Sequence, residues 1–170
     1  MLYFDIRSLE ARAESVDATL SVSDPVWEPE DVHPLGEGVH VHGRLSGAGH
    51  GRFFFSGSFD GSVASTCRRC LIDVQLNVSD ALQLVFAEAG LDEADEDDVV
   101  PIPAGSRELD LRPAVREEWL LAVPAFALCR ADCKGICPTC GADRNTGTCD
   151  CVPDPDVRWA GLRDSRTSDA

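Results

Sequence analysis

Over much of the first half of the chain, apolar and polar residues alternate with period two, as in strands that bury one face. Met1-Leu-Tyr-Phe-Asp-Ile6 reads as an edge strand. Gly38-Val-His-Val-His-Gly-Arg-Leu45 alternates as a half-buried strand does, and Gly47-Ala-Gly-His-Gly51 predicts a flexible turn. Arg52 to Phe59 then returns as a strongly apolar strand. Ser62 to Thr66 leads into a cysteine pair, from which a long strand runs from Leu71 to about Phe86, with Val74, Leu76, Val78, Leu82, Leu84 and Phe86 as its apolar members. The phase is weakest at Ser79-Asp80, where a bulge or break is expected. These segments predict a meander of antiparallel strands, closed or nearly closed on itself.

The period changes further along. Glu108-Leu-Asp-Leu111 reads as a short strand or a helix lead-in, and Arg112 to Val123 is the strongest helix in the sequence. Val115, Trp119, Ala122 and Val123 fall at i, i+4, i+7 and i+8, on one face. Pro113 sits where a helix start tolerates it, and Pro124 stops the helix. The fold class expected is α+β: an antiparallel β-rich meander or barrel-like domain, one main helix and a C-terminal cysteine-rich zinc module. In chain order this divides into a β-rich domain over 1–90, an acidic loop over 91–107, helix plus cysteine module over 108–152, and a polar tail over 153–170. No internal repeat is evident.

The chain contains eight cysteines. Two form Cys67-Arg-Arg-Cys70; the rest lie in Cys129-Arg-Ala-Asp-Cys133-Lys-Gly-Ile-Cys137-Pro-Thr-Cys140 and Cys149-Asp-Cys151. A Cys-Pro-Thr-Cys-Gly turn suits a tetrahedral metal, since proline sets the turn and glycine lets the backbone fold beneath the ion. Eight thiols make two four-thiolate sets, so structural zinc, one or two ions, is the cofactor expected. Two pairings are sensible. In the first, Cys67, Cys70, Cys129 and Cys133 share one ion, and Cys137, Cys140, Cys149 and Cys151 the other. In the second, Cys129, Cys133, Cys137 and Cys140 form a local site, leaving Cys67 and Cys70 with Cys149 and Cys151. The first is preferred because it clamps the upstream pair to the end of the helix.

Composition narrows the class. A hydrophobic content of 44% is that of a globular protein. The N-terminus does not resemble a signal peptide, and no run approaches the roughly 20 apolar residues that span a bilayer. A soluble, cytoplasmic protein without membrane association is therefore expected, and in a reducing compartment paired cysteines favour metal over disulfides. The formal charge of −15 argues against a simple phosphate-tracking protein. Six of the seven residues Asp92-Glu-Ala-Asp-Glu-Asp-Asp98 are acidic, which reads as a solvated loop or a docking strip for a basic partner.

Closed four-cysteine sites are structural, whereas catalytic zinc keeps a free position. No nucleophile elbow, phosphate loop or dinucleotide fingerprint is present, so no catalytic residue is assigned, and neither enzymatic activity nor a small-molecule substrate is expected. Of the four histidines His33, His40, His42 and His50, His40 and His42 share a strand face and could bind a metal, though solvent-exposed strand histidines are the expected reading. Arg68, Arg69, Arg130, Lys134 and Arg144 lie within the cysteine segments. They either offset the charge of the thiolates or form a positive face toward RNA.

The cysteine pattern resembles the YceD family, the large ribosomal RNA subunit accumulation proteins of bacteria and chloroplasts. The resemblance rests on Cys67-Arg-Arg-Cys70-Leu71, the acidic loop, Leu109-Asp-Leu111 and the helix end Leu120-Leu-Ala-Val-Pro124. It continues through Leu128 to Gly141, Asn145, Cys149-Asp-Cys151, and the tail Asp156-Val-Arg-Trp159 with Leu162. The resemblance implies a non-enzymatic role in synthesis, processing or stability of 23S rRNA during large-subunit assembly. The partners implied are 23S rRNA or its precursor, basic ribosomal proteins, or both. Rival readings are an acidic zinc-stapled adaptor between proteins and a thiol redox sensor.

Overall fold

The computed structural model describes residues 1–28, 34–90, 99–152 and Arg158. His33, the acidic run 92–98 and the tail residues Asp156, Trp159 and Leu162 lie outside the described residues. Among those described, no helix is long and apolar enough to cross a membrane.

The chain forms β1 (Tyr3–Asp5), α1 (Ile6–Ala11), β2 (Glu14–Ser21), β3 (Gly38–Gly49), β4 (Arg52–Thr66), β5 (Asp73–Glu88), β6 (Val99–Ile102), β7 (Glu108–Asp110) and α2 (Arg112–Ala122). A single 3-10 turn, Pro25–Trp27, follows β2. Hydrogen bonding orders one sheet β2-β3-β4-β5-β6, and β1 pairs with β7 in a second, two-stranded sheet. The fold is α+β, with a largely antiparallel sheet and one main helix.

Period-two patterning explains the long strands. In β3, Val39, Val41 and Leu45 are fully buried, which turns His40, His42 and Arg44 to the other face. The β3–β4 turn is His50-Gly51, both at positive φ (53° and 71°), the conformation that two-residue hairpins require. Gly43 and Gly57 stand directly opposite one another, and the Phe55 ring fills the notch they leave. A Cβ on either glycine would lie 2.8 Å from Phe55 Cζ.

The structure departs from the sequence reading in several places. Of the bulge or break expected at Ser79-Asp80, the break is not found: β5 runs continuously from Asp73 to Glu88. Even-numbered members from Val78 to Phe86 are buried except Asp80, a polar residue in an apolar phase. Among the described residues the sheet order is linear, without a pairing that closes it, and β6 joins β5 in parallel, Val85 opposite Val99. Edge position suits β6 because Pro101 has no N–H to give to a further strand. Ile6 belongs to α1 rather than to the first strand, since the Asp5 carboxylate caps the helix by accepting the Ser8 N–H at 2.9 Å.

The chain divides into two compact units, Met1–Ser65 with Asp73–Ala127, and Thr66–Ile72 with Leu128–Ala170. This division cuts across the chain-order one, which grouped α2 with the cysteines. Helix α2 instead packs on β5 of the sheet unit, burying Ala114, Val115 and Trp119. Trp119 meets Phe59 edge to face at 5.9 Å. At the first position of α2, Arg112 forks between Asp24 and Asp110 at 2.9–3.1 Å and lies 4.2 Å over the Tyr3 ring.

Candidate metal centres

Every residue of the hydrophobic core cluster belongs to the sheet unit. Among the described residues of the cysteine unit, the buried ones are Cys67, Cys70, Cys133, Gly135 and Cys137. The described interior of this unit is thus made of thiols rather than apolar side chains, a setting in which a bound cation could supply the free energy that burial supplies elsewhere.

The eight cysteines gather into two groups: Cys67, Cys70, Cys129 and Cys133, and Cys137, Cys140, Cys149 and Cys151. Within each, all four sulfurs lie within 4.8 Å of one another. Cys67 and Cys133 Sγ are 3.9 Å apart, and Cys70 and Cys129 Sγ 3.6 Å apart. A tetrahedron with metal–sulfur bonds of about 2.3 Å has edges of about 3.8 Å; a disulfide would be about 2.05 Å. The spacing and the donor set therefore fit a four-coordinate metal ion in each group.

Both groups start from the same turn. The N–H of Leu71 donates to Cys67 O at 2.9 Å, and that of Cys67 to Ile72 O at 2.9 Å. At the second, Gly141 N–H donates to Cys137 O at 2.9 Å, and Cys137 N–H to Ala142 O at 2.8 Å. This local repeat leaves no trace in the sequence beyond the Cys-x2-Cys spacing.

The segment after Cys133 threads against the first turn. Ile136 N–H donates to Arg69 O at 2.9 Å, and a Cβ on Gly135 would stand 2.7 Å from that same oxygen. The Arg69 guanidinium donates to Cys133 O at 2.8 Å and Ala131 O at 3.4 Å. Asn145 holds the other side. Its Oδ1 accepts from Arg130 Nη2 at 2.9 Å and from Lys134 N at 2.8 Å. Its Nδ2 donates to Cys133 Sγ at 3.5 Å and Asp143 Oδ1 at 2.7 Å.

Thiol acidity is split within each group. Burial pushes Cys67 up, but the N–H groups of Cys129, Cys70 and Arg69 outweigh it and bring the thiol down to about 6. Against its burial, Cys133 is lowered by the Gly135 N–H and the Asn145 amide. Cys129 rises to about 12 through burial and the neighbouring sulfurs. In the second group, N–H groups of Cys140 and Thr139 bring Cys137 down to about 6, while the Cys140 sulfur and burial drive Cys151 up to about 12. A first thiolate forms readily in each group, and full ionisation calls for a cation among the sulfurs.

The structure separates the basic residues of these segments: Arg68 is exposed on the first turn, and the other four divide into two pairs. Arg69 and Arg130 are spent on the unit's own carbonyls and on Asn145, and Arg130 also pairs with Asp132 at 3.3 Å. Lys134 and Arg144 line an open cavity of about 430 Å³ with Gly147, Thr148 and Cys149. The roles of Asn145 and of Asp143, which accepts from both Asn145 nitrogens, escape sequence reasoning. The Asp143-Arg-Asn-Thr-Gly147 composition signals only a turn.

Charge divides along the same lines. The sequence assigned to the cysteine unit holds eight basic and seven acidic residues, against seven basic and twenty-three acidic in the sheet unit. The acidity of the protein belongs to the sheet unit.

Comparison with known proteins gives consistent matches. A chloroplastic large ribosomal RNA subunit accumulation protein YCED homolog 1 of Zea mays is 38% identical over 71 residues, 41% of this chain and 24% of the maize protein. Its Arabidopsis thaliana counterpart is 35% identical over 57 residues, 34% of this chain and 18% of that protein. An uncharacterized protein of Mycobacterium tuberculosis is 31% identical over 109 residues, 63% of this chain and 52% of its own length. The aligned region thus spans about half or less of these relatives. No solved structure matches the chain. The family model described as large ribosomal RNA subunit accumulation protein YceD matches residues 55–164, which take in all eight cysteines, and on that match the chain belongs to the YceD family.

Proposed function

We propose that this chain is a non-enzymatic factor that promotes accumulation of 23S rRNA during assembly of the large ribosomal subunit, acting in the cytoplasm. The observation that carries the reading is the family match over residues 55–164. Zinc is the metal proposed for both cysteine groups, because four thiolates at tetrahedral spacing suit it and leave no position free for a reacting water. Its part is structural: it replaces an apolar core in the cysteine unit.

Lys134 and Arg144 are the proposed contacts to RNA phosphate. They share one cavity with the Thr148 side chain, whereas Arg69 and Arg130 are committed to holding the unit together. Basic ribosomal proteins are the proposed partners of the sheet unit, whose acidic surplus would attract them.

The test is the ribosomal profile of cells depleted of the protein. A selective fall of 23S relative to 16S rRNA is expected; an unchanged ratio overturns the reading. Native mass of the purified chain should show two zinc ions, and loss of hydrogens without metal would favour a redox role instead. For the RNA interface, Lys134→Ala with Arg144→Ala should weaken binding and reduce the slope of log K against log salt concentration by about 0.7 for each phosphate no longer neutralised. Unchanged crosslinking to rRNA would remove these two residues from the interface.

A further inference from the structure

The outward face of the sheet gathers a second kind of ligand set. Strand alternation sends His40 and His42 out together, because their strand neighbours Val39 and Val41 are fully buried on the opposite face. Register then places Asp60 of β4 opposite His40, and Asp17 of β2 and Ser58 of β4 opposite His42. The imidazoles stack at 5.6 Å, and ligand atoms of His40, His42 and Asp60 lie within 4.8 Å of one another.

Hydrogen bonding orients both rings. His40 Nε2 lies 2.9 Å from Asp17 Oδ1, and His42 Nε2 lies 2.8 Å from Ser58 Oγ. Each bond can hold its Nε2 protonated, which frees Nδ1 as the electron-pair donor. His40 Nδ1 is 3.4 Å from Asp60 Oδ1. Two imidazoles and one carboxylate, with the far ring nitrogens tied to a carboxylate and a hydroxyl, form the arrangement that borderline divalent metals use.

We propose that His40, His42 and Asp60 form a surface site for a divalent transition-metal ion, zinc being the probe of choice, with Asp17 and Ser58 as positioning residues. The ion binds through Nδ1 of both histidines and the Asp60 carboxylate. Solvent fills its remaining positions, because all three side chains sit on an open face. Donor atoms in such a centre lie closer than 4.8 Å, at metal–ligand bonds of about 2.0–2.2 Å, and the exposed side chains can close that gap by small rotations. The site is independent of the cysteine groups and of any role in RNA accumulation, since none of its residues belongs to the cysteine unit.

The experiment is equilibrium dialysis of the full chain against micromolar free zinc, comparing wild type with His40→Gln and His42→Gln. Both substitutions are on an exposed face and leave the core intact, which circular dichroism and the melting temperature check. Wild type should hold one zinc more per chain than either variant, whatever the occupancy of the thiols. Asp17→Asn should retain the ion with about 10- to 100-fold weaker affinity, the range for residues that orient a ligand. Zinc should also move the His40 and His42 ring resonances in NMR spectra of the wild type. Equal zinc content in wild type and both variants, or ring resonances that ignore zinc, overturns the proposal.

Discussion

Leu71 occupies in the first cysteine turn the place that Gly141 occupies in the second. Both follow the second cysteine of a Cys-x2-Cys pair, both donate their N–H to the first cysteine's carbonyl at 2.9 Å, and both are left-handed, with φ of 62° and 73°. Glycine takes that conformation freely; a leucine in it costs about 1–2 kcal/mol. The Leu71 side chain is 61% exposed, so packing does little to offset the strain. Gly141→Ala should therefore destabilise the metal-loaded protein by about 1 kcal/mol. Leu71→Gly should change stability by less than about 1 kcal/mol, strain relief balancing the added freedom of the unfolded chain. Thermal melts of the two variants decide the matter. A large loss in Leu71→Gly would mean that the leucine does pack.

Asn145 has two separable roles. Its carbonyl oxygen fastens Arg130 and the Lys134 N–H, and its amide nitrogen donates to the Cys133 sulfur. Asn145→Ala removes both, and metal held by Cys67, Cys70, Cys129 and Cys133 should be released about 10- to 100-fold more readily. Asn145→Asp keeps the acceptor but sets a carboxylate against the thiolates. If donation to sulfur matters, this variant should lose metal at least as easily as the alanine one. Release into a chromophoric chelator reads both, and the group at Cys137 should be unaffected.

The sequence was most legible where side-chain spacing reports burial directly. The β3–β4 hairpin shows its alternation and its Gly-His-Gly turn, and α2 shows its face and both prolines. Strand β2 was hidden because it buries Val16 and Leu20, four residues apart, a spacing that suits a helix as well as a strand. Strand β6 is four residues long with a proline, too short for any period. The Cys-x2-Cys pairs suggested that the thiols gather in fours, but their partition depends on which turns meet in space, and spacing alone left two answers. The internal use of Arg69 and Arg130 was out of reach for the same reason: their acceptors are carbonyls and an amide brought in by tertiary contacts.

The His40 ring should titrate above the ordinary 6.5 in metal-free buffer, chiefly through its hydrogen bond to Asp17, with Asp60 adding to the effect. A raised value in the folded state means that the sheet holds a proton which the unfolded chain has given up. That contribution is fully present below about 6.5 and is lost as pH rises through the folded value. The ring is exposed enough that the effect on stability is small, so the ring resonance itself is the measurement. Asp17→Asn should bring it back toward 6.5, and a His40 titration that ignores this substitution would show that the hydrogen bond does not persist in solution.

Removing metal should undo one unit and spare the other. Among the described residues of the cysteine unit, the buried ones are four cysteines and a glycine, so without a cation this interior is a set of mutually repelling thiolates or poorly packed thiols. The sheet unit keeps Trp27, Trp119, Phe53, Phe55, Phe59 and Phe86 packed at its centre, each less than 2% exposed, none of them a ligand. Burial of these side chains stabilises the sheet unit without any contribution from the thiols. Chelation at neutral pH should therefore collapse the amide dispersion of Thr66–Ile72 and of residues 129–151, while the resonances of β3, β4 and α2 persist. Readdition of zinc should restore the lost signals. Loss of both sets together would mean that the sheet unit depends on the metal as well, and persistence of both would mean that the thiols hold their arrangement without a cation.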